Sequence, residues 1–357
     1  MYQCTSEGCP YTTNNHDRWK RHVADEETFA HVESQLDSIN QPKQPPKRFP
    51  KRFLACSSGG QRGVILTGMA KQLFLNDSKN VEWDEVAGIS AGAFCAAYIS
   101  QTTPKTFLGM IDQLHDGFMT KDFNVASPWI WGGAFINAID ALLFHDSLYS
   151  NDKMVKLIHA WFDPSHIQRP LHIGVYNKTT MTYETISSTD TTQDMRKACL
   201  ASAAVPTMLP TVTIGKDQYE DGGMRHIIPV EEIKAWVRRT PGKKHVDVMV
   251  CYPLDGQKFT RTNIPEMKHG TASSAVRMIS DMMLSQFQHD LMEIANLCDV
   301  SYDHLIANSC SIITNGDLTV RMLSPVDGMY TSLLNITPDT TDDLFKDGEK
   351  SVGLLKM

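Results

Sequence analysis

Gly88-Ile89-Ser90-Ala91-Gly92 sets one hydroxyl between two glycines, after an apolar run and before a run of small residues. A serine on a tight strand-to-helix turn needs neighbours without Cβ atoms. At the start of the following helix it also faces orphan N–H groups that favour developing negative charge. This suits nucleophilic attack on an acyl carbonyl. Upstream, Ser58-Gly59-Gly60-Gln61-Arg62-Gly63 falls between another apolar run and another helical stretch. Consecutive glycines ahead of a helix expose backbone N–H groups that can hold an anion. One reading is an oxyanion hole for the intermediate formed when Ser90 attacks; the other is a plain βα turn. No Gly-Lys-Ser/Thr follows, which disfavours a P-loop, and the spacing makes a poor dinucleotide fingerprint. A third piece, Asp221-Gly222-Gly223, offers a carboxylate followed by two unobstructive residues. It suits a base close to a nucleophile, or equally a turn in a surface hairpin.

The elements that must position these residues are legible in outline. Phe53-Leu54-Ala55-Cys56 predicts a strand running into the glycine-rich loop, with a helix following over about 64–74. Trp83 to Ile89 reads as a strand ending at Ser90, and residues 90–100 as a helix rich in small residues. Met154, Leu157, Ile158 and Trp161 mark an amphipathic helix, and a strand is expected around His172–Val175. A further helix precedes the Ala204-Val205-Pro206 break, and the apolar run at 247–254 predicts a strand. Val276, Ile279, Met283, Phe287, Leu291 and Ile294 recur with helical period, giving one buried face of a long helix over about 274–297. Strands alternating with helices argue for an α/β domain with a parallel or mixed sheet covered on both sides.

The three motifs, in this order and at these separations, resemble the patatin-like phospholipase family. Its pattern is a glycine-rich loop ending in Arg-Gly, a Gly-x-Ser-x-Gly elbow and an Asp-Gly-Gly or Asp-Gly-Ala. Ala201-Ser202-Ala203-Ala204-Val205-Pro206 followed by Leu209-Pro210 is similar to the family stretch ahead of the aspartate. The likeness runs from about Phe53 through Pro229. It implies a three-layer α/β/α domain with a central, mostly parallel sheet, and hydrolysis of a lipid acyl ester through a covalent acyl-enzyme. On that resemblance Ser90 is the nucleophile and Asp221 its base, with Gly88 and Gly92 shaping the elbow and Gly222 and Gly223 clearing the base. Gly59, Gly60 and Gln61 would supply the oxyanion donors, and Arg62 and Gly63 would brace the loop, contact with a lipid phosphate being the alternative for Arg62. The mechanism needs no cofactor. One departure stands out: Ser58 occupies the place of the family's first loop glycine, so the expected oxyanion hole has slightly altered geometry.

Two rivals remain at this level. An α/β-hydrolase would pair Ser90 with a late histidine such as His269, His289 or His304. A binding scaffold with a lapsed active site would use its N-terminal appendage instead. Residues 1–35 carry Cys4-x4-Cys9-x12-His22, with Tyr2 and Trp19 placed for a small core, as in a C2H2-type zinc finger. Thr13 stands at a usual aromatic position, which Tyr11 could replace, and the fourth ligand is irregular because His31 lies eight residues beyond His22. A structural zinc on Cys4, Cys9 and His22 with His31 or a carboxylate as fourth ligand, and a metal-free arm, are all open; the finger would support weak protein or nucleic-acid contacts. Residues 36–52 read as a Pro-rich basic linker with Lys43, Lys47, Arg48, Lys51 and Arg52, and 53–357 as the patatin-like domain, its motif core at 53–230.

Composition bounds the rest. The formal net charge of −7 gives no general attraction for nucleic acid. The longest nearly apolar stretch, Trp129 to Phe144, is broken by Asn137 and Asp140 and is shorter than the roughly 20 residues of a membrane-spanning helix. Trp129, Ile130, Trp131, Phe135, Ile136, Ile139, Leu142 and Leu143 instead suit either a lid touching an acyl-lipid surface or a core helix. The polar N-terminus lacks a signal-type apolar region. Cys56, Cys95, Cys199, Cys251, Cys298 and Cys310 stand apart and read as small buried hydrophobes in a reducing compartment. The expectation is a cytoplasmic protein that meets membranes peripherally.

Overall fold

The computed structural model describes residues 2–3, 12–13, 50–119, 127–128, 149–254, 271–307, 310–326 and 338–353. Nine strands form one sheet: β1 (Lys51–Cys56), β2 (Glu85–Ile89), β3 (Leu171–Asn177), β4 (Thr182–Ser187), β5 (Val212–Ile214), β6 (Asp217–Asp221), β7 (Lys244–Met249), β8 (Cys310–Asn315) and β9 (Leu318–Leu323). The central run β9-β7-β1-β2-β3 is parallel throughout, and antiparallel strands flank it. β8 pairs with β9 at one side, while β4 and β6 pair with β3 at the other and β5 extends β6.

The helices are α1 (Val64–Asn76), α2 (Ala91–Ser100), α3 (Phe107–Met119), α4 (Asp152–Trp161), α5 (Met195–Ser202), α6 (Val230–Arg239), α7 (Thr271–Cys298), α8 (Tyr302–Ile306) and α9 (Pro338–Gly353). Side chains of adjacent strand residues point to opposite faces, and Phe53 and Leu54 are both fully buried, so both faces of β1 are covered. On one face Trp236 of α6 packs against Phe53 with ring centroids 5.3 Å apart. The all-buried α2 lies against the sheet because Ala93, Ala96 and Ala97 keep its surface narrow. This is the three-layer α/β architecture with a central, mostly parallel sheet.

Most expected elements form, with informative differences. The apolar run at 247–254 is not one strand: β7 starts at Lys244 and ends at Met249. Val250 to Leu254 are buried because they wrap the glycine-rich loop, with Cys251 N–H donating to Ser57 Oγ at 2.9 Å. Burial and strand formation give the same sequence signature there. Lys51 and Arg52, assigned to the linker from sequence, belong to β1, and Arg52 pairs with buried Asp247 at 3.2 Å. On α7, Phe287, Leu291 and Ile294 are buried as its periodicity predicts.

The candidate zinc ligands Cys4, Cys9, His22 and His31 lie outside the described residues, as do the apolar stretch 129–144 and His269. Near the N-terminus, Tyr2–Gln3 and Thr12–Thr13 form a two-residue antiparallel ladder. Cys56, Cys95, Cys199, Cys251 and Cys298 are free and buried. Among the described residues no helix is long and apolar enough to cross a membrane, and no cluster of three or more His, Cys, Asp or Glu could hold a metal.

Candidate active site

Two strands running in opposite directions stop at neighbouring positions on one edge of β3. β2 ends with Ile89 opposite Gly174, and β6 ends with Asp221 opposite Val175. β4 takes the other edge along the whole of this stretch, so β2 and β6 meet end to end. The next residue after β2 is Ser90. Strand register therefore brings Ser90 to Asp221, with no direct involvement of the intervening chain.

Ser90 sits between β2 and α2 with φ 55° and ψ −121°, a backbone conformation that a non-glycine residue holds at a cost of about 1–3 kcal/mol. Its surroundings impose that geometry. Ser90 N–H donates to Ser202 Oγ at 2.8 Å, and Ser202 Oγ–H donates onward to the Gly174 carbonyl at 2.6 Å. A Cβ on Gly88 would overlap the Gly92 carbonyl, and one on Gly92 would overlap the Cys56 carbonyl. The elbow glycines are thus required by backbone-on-backbone contact between β2, α2 and the end of β1.

Asp221 is buried and accepts from Gly223 N–H at 2.7 Å, with the Ser90 side chain close enough to bear on its proton affinity. Burial pushes its carboxyl up to about 7, and the Gly223 N–H and the neighbouring Ser90 hydroxyl only partly offset that. A carboxylate of this affinity can take a proton from a hydroxyl near neutral pH far better than an exposed aspartate.

The glycine-rich loop is anchored on three sides. Ser57 N–H reaches the Met249 carbonyl at 3.0 Å, Ser58 N–H the Ile227 carbonyl at 2.8 Å, and Arg62 N–H the Gly59 carbonyl at 3.1 Å. Gly60 takes the left-handed conformation (φ 56°) that turns the chain into the short 3₁₀ segment Gly60–Gly63 leading to α1. The Arg62 guanidinium lies over the Tyr252 ring, 5.2 Å from its centroid, so this side chain ties the loop to the segment after β7.

Three contributors escaped the sequence reading. Ser202 orients the elbow as described. Asp290 of α7 is fully buried and accepts from Ile227 N–H at 2.6 Å and Ile228 N–H at 2.9 Å, holding the segment on which Ser58 docks. His226 Nδ1 lies 2.7 Å from the same carboxylate, and its ring meets Tyr183 edge-on. A signal for Asp290 did exist, since an acid interrupts the apolar stripe of Phe287, Leu291 and Ile294. His289 and His304, the described candidates of the hydrolase rival, are exposed.

The family model for patatin-like phospholipases matches residues 54–234, from β1 into α6, which is half of the chain. The chain belongs to the patatin-like phospholipase family. Both motif-bearing turns and the Asp-Gly-Gly segment of this family member fall inside the match. No curated protein gives a sequence match. Among solved structures, human GIVD cytosolic phospholipase A2 is similar at 8% identity with a TM-score of 0.43, over 98% of this chain and 64% of that one. VipD from Legionella pneumophila follows at 13% identity and 0.37, over 85% and 66%. The type III effector protein ExoU gives 12% and 0.31, over 86% and 52%. The patatin-like chain thus spans less than two thirds of the length of each of these proteins.

Proposed function

We propose that this protein is a lipid acyl hydrolase of the phospholipase A or lysophospholipase type, acting through a Ser90–Asp221 dyad and a covalent acyl-enzyme. The observation that carries the reading is the strand register that brings the buried Asp221 carboxyl to a strained Ser90 at the start of α2, where burial raises that carboxyl to about 7. Family membership supports lipid ester chemistry in general.

In the proposed reaction Asp221 removes the Ser90 hydroxyl proton as Oγ attacks the acyl carbonyl. Backbone N–H groups of Gly59, Gly60 and Gln61 stabilise the oxyanion, each worth about 3 kcal/mol in comparable sites. The proton then passes to the leaving alcohol, and water releases the acyl group in a second cycle using the same base. No histidine is needed, because burial supplies the basicity that a histidine provides elsewhere. The substrate is an acyl-lipid met at a membrane surface.

Acyl release from mixed phospholipid and triacylglycerol vesicles tests this. Wild type should release fatty acid, Ser90→Ala and Asp221→Asn should lose about 10³-fold or more, and His304→Ala should be unaffected. Equal activity in wild type and Asp221→Asn would remove the dyad from consideration.

A further inference from the structure

Two turns project past the end of the sheet where Ser90 and Asp221 meet. β3 continues two residues beyond Val175, the partner of Asp221, and there Asn177 pairs with both Thr182 of β4 and Tyr219 of β6. The β3–β4 turn at 178–181 therefore starts about 7 Å past the level of Asp221. β6 arrives from further out. Asp217 pairs with Ile214 and precedes Asp221 by four residues, which sets the Gly215-Lys216 turn about 13 Å past that level. The turns are stitched side by side, with Lys178 N–H donating to the Gln218 carbonyl at 2.8 Å and Gln218 N–H to Thr179 Oγ1 at 3.0 Å.

Their side chains face solvent at a cost. Met181 is 70% exposed, more than Met292 or Ile312, the other large apolar side chains exposed among the described residues. It also holds φ 60°, a left-handed conformation that glycine or asparagine takes more readily. An exposed side chain gains no packing in the fold to offset that conformation. Its neighbours are cationic. Arg225, four residues after Asp221, lies over the Tyr176 ring and donates to the Met181 carbonyl at 3.3 Å, and Lys178 and Lys216 are exposed on the two turns. Arg225 and Lys216 have no carboxylate partner among the described residues. Nearby acids are engaged: Glu220 is buried and binds Lys178 at 2.9 Å, and Glu184 accepts from Asn177 and Tyr219. Half-buried Asp217 is the remaining acid of these turns. Three exposed cations around an apolar tip, on a chain of net charge −7, complement the headgroups and acyl boundary of an anionic bilayer.

Resting on the lipid-hydrolase reading above, we propose that these two turns form a membrane-docking rim: Met181 enters the acyl boundary of an anionic bilayer, and Lys178, Lys216 and Arg225 meet its phosphates. The strand register sets the dyad directly behind this rim, at the same end of the sheet. The rim takes no part in bond cleavage, so capture of the bilayer and ester hydrolysis are separable.

Flotation of the full chain on phosphatidylcholine vesicles, with and without phosphatidylglycerol, provides the test, using wild type, Met181→Gly and Lys216→Glu. Glycine relieves the left-handed conformation, so Met181→Gly should melt no lower than wild type, and weaker binding by it is then no folding defect. Binding to the anionic vesicles should fall about fivefold in Met181→Gly and about tenfold or more in Lys216→Glu, and wild type should bind the neutral vesicles far less. Cleavage of dissolved p-nitrophenyl butyrate should stay within about twofold of wild type in both variants. Unchanged flotation of either variant, or equal wild-type binding to the two kinds of vesicle, would overturn the proposal. Wild type floating on neither would overturn it too and leave the rim to a protein partner. Absence of ester cleavage in every protein, with the binding differences intact, would overturn the dyad reading and leave the rim standing.

Discussion

Asp221 owes its basicity to being hidden from water, and that has a thermodynamic consequence. Its affinity for a proton is raised from 3.8 to about 7 in the fold, so the folded state binds the proton more tightly than the unfolded chain. The resulting stabilisation is fully present below the unfolded value and is lost as pH rises through about 7. Asp221→Asn should therefore raise the melting temperature relative to wild type more at pH 8 than at pH 5, while abolishing turnover. Differential scanning calorimetry at the two pH values reads this directly. Ser202 acts on the partner residue. Ser202→Ala leaves Ser90 N–H and the Gly174 carbonyl without their partner, and should cost about 1–3 kcal/mol in urea melts and lower kcat more than it raises KM. The turns carrying Ser90 and Asp221 were legible because glycines mark them locally. Ser202 was not, and Asp290 showed only as an acid in an apolar stripe, since each acts on backbone groups far away in sequence and no local pattern encodes a distant partner.

Elements deliver these residues through register and close approach. β2 and β6 meet head to head on β3, and α7 locks the 226–228 segment through Asp290. Burial raises the Asp290 carboxyl, and His226 and the two amides only partly offset it, so the site depends on keeping those partners. Asp290→Ala should release that segment and the docked glycine-rich loop together, seen as faster amide exchange at Ile227 and Ser58 with loss of activity. α1 and α9 cross where Gly68 meets the Phe345 carbonyl and Gly348 meets the Ile65 carbonyl. A methyl at either position overlaps backbone, so Gly348→Ala should destabilise by about 1–3 kcal/mol in denaturant titration. Helices with a clear apolar stripe were readable from sequence, as were the parallel strands entering the motif turns. The β7 boundary was misplaced because Val250 to Leu254 are buried without being paired in the sheet, and hydrophobicity reports only burial.

Across the whole molecule, the fold extends beyond the matched family region. β7 lies between β1 and β9 in the middle of the sheet, although residues 244–249 follow the match at 54–234. A chain ending at residue 240 would lack β7, β8 and β9 and leave the edge of β1 bare, and it should show no cooperative melt. Asp247 ties this centre together, bonding Arg321 Nε at 2.6 Å, Trp83 Nε1 at 2.6 Å, His245 Nε2 at 2.8 Å and Arg52 Nη2 at 3.2 Å. Burial alone would raise its carboxyl, but Arg321, His245 and Arg52 outweigh burial and hold it well below the usual carboxylate range. Asp247→Ala would strand two arginines in the interior and should cost about 3–5 kcal/mol, measured by chemical unfolding. The sequence showed the fold class; it did not show that Arg52, placed in the linker, is a member of this buried network.

In the proposed reaction Ser90 is a nucleophile driven by Asp221. The most direct measurement of that role is the rate of covalent labelling by an alkyl fluorophosphonate as a function of pH, with the modified peptide identified by mass spectrometry. The account predicts an adduct on the Ser90 peptide, a rate that rises with pH through about 7 as Asp221 loses its proton, and near-complete loss of labelling in Asp221→Asn. Labelling at another residue, or an equal rate in Asp221→Asn, would contradict it and favour a binding scaffold in which this site no longer reacts.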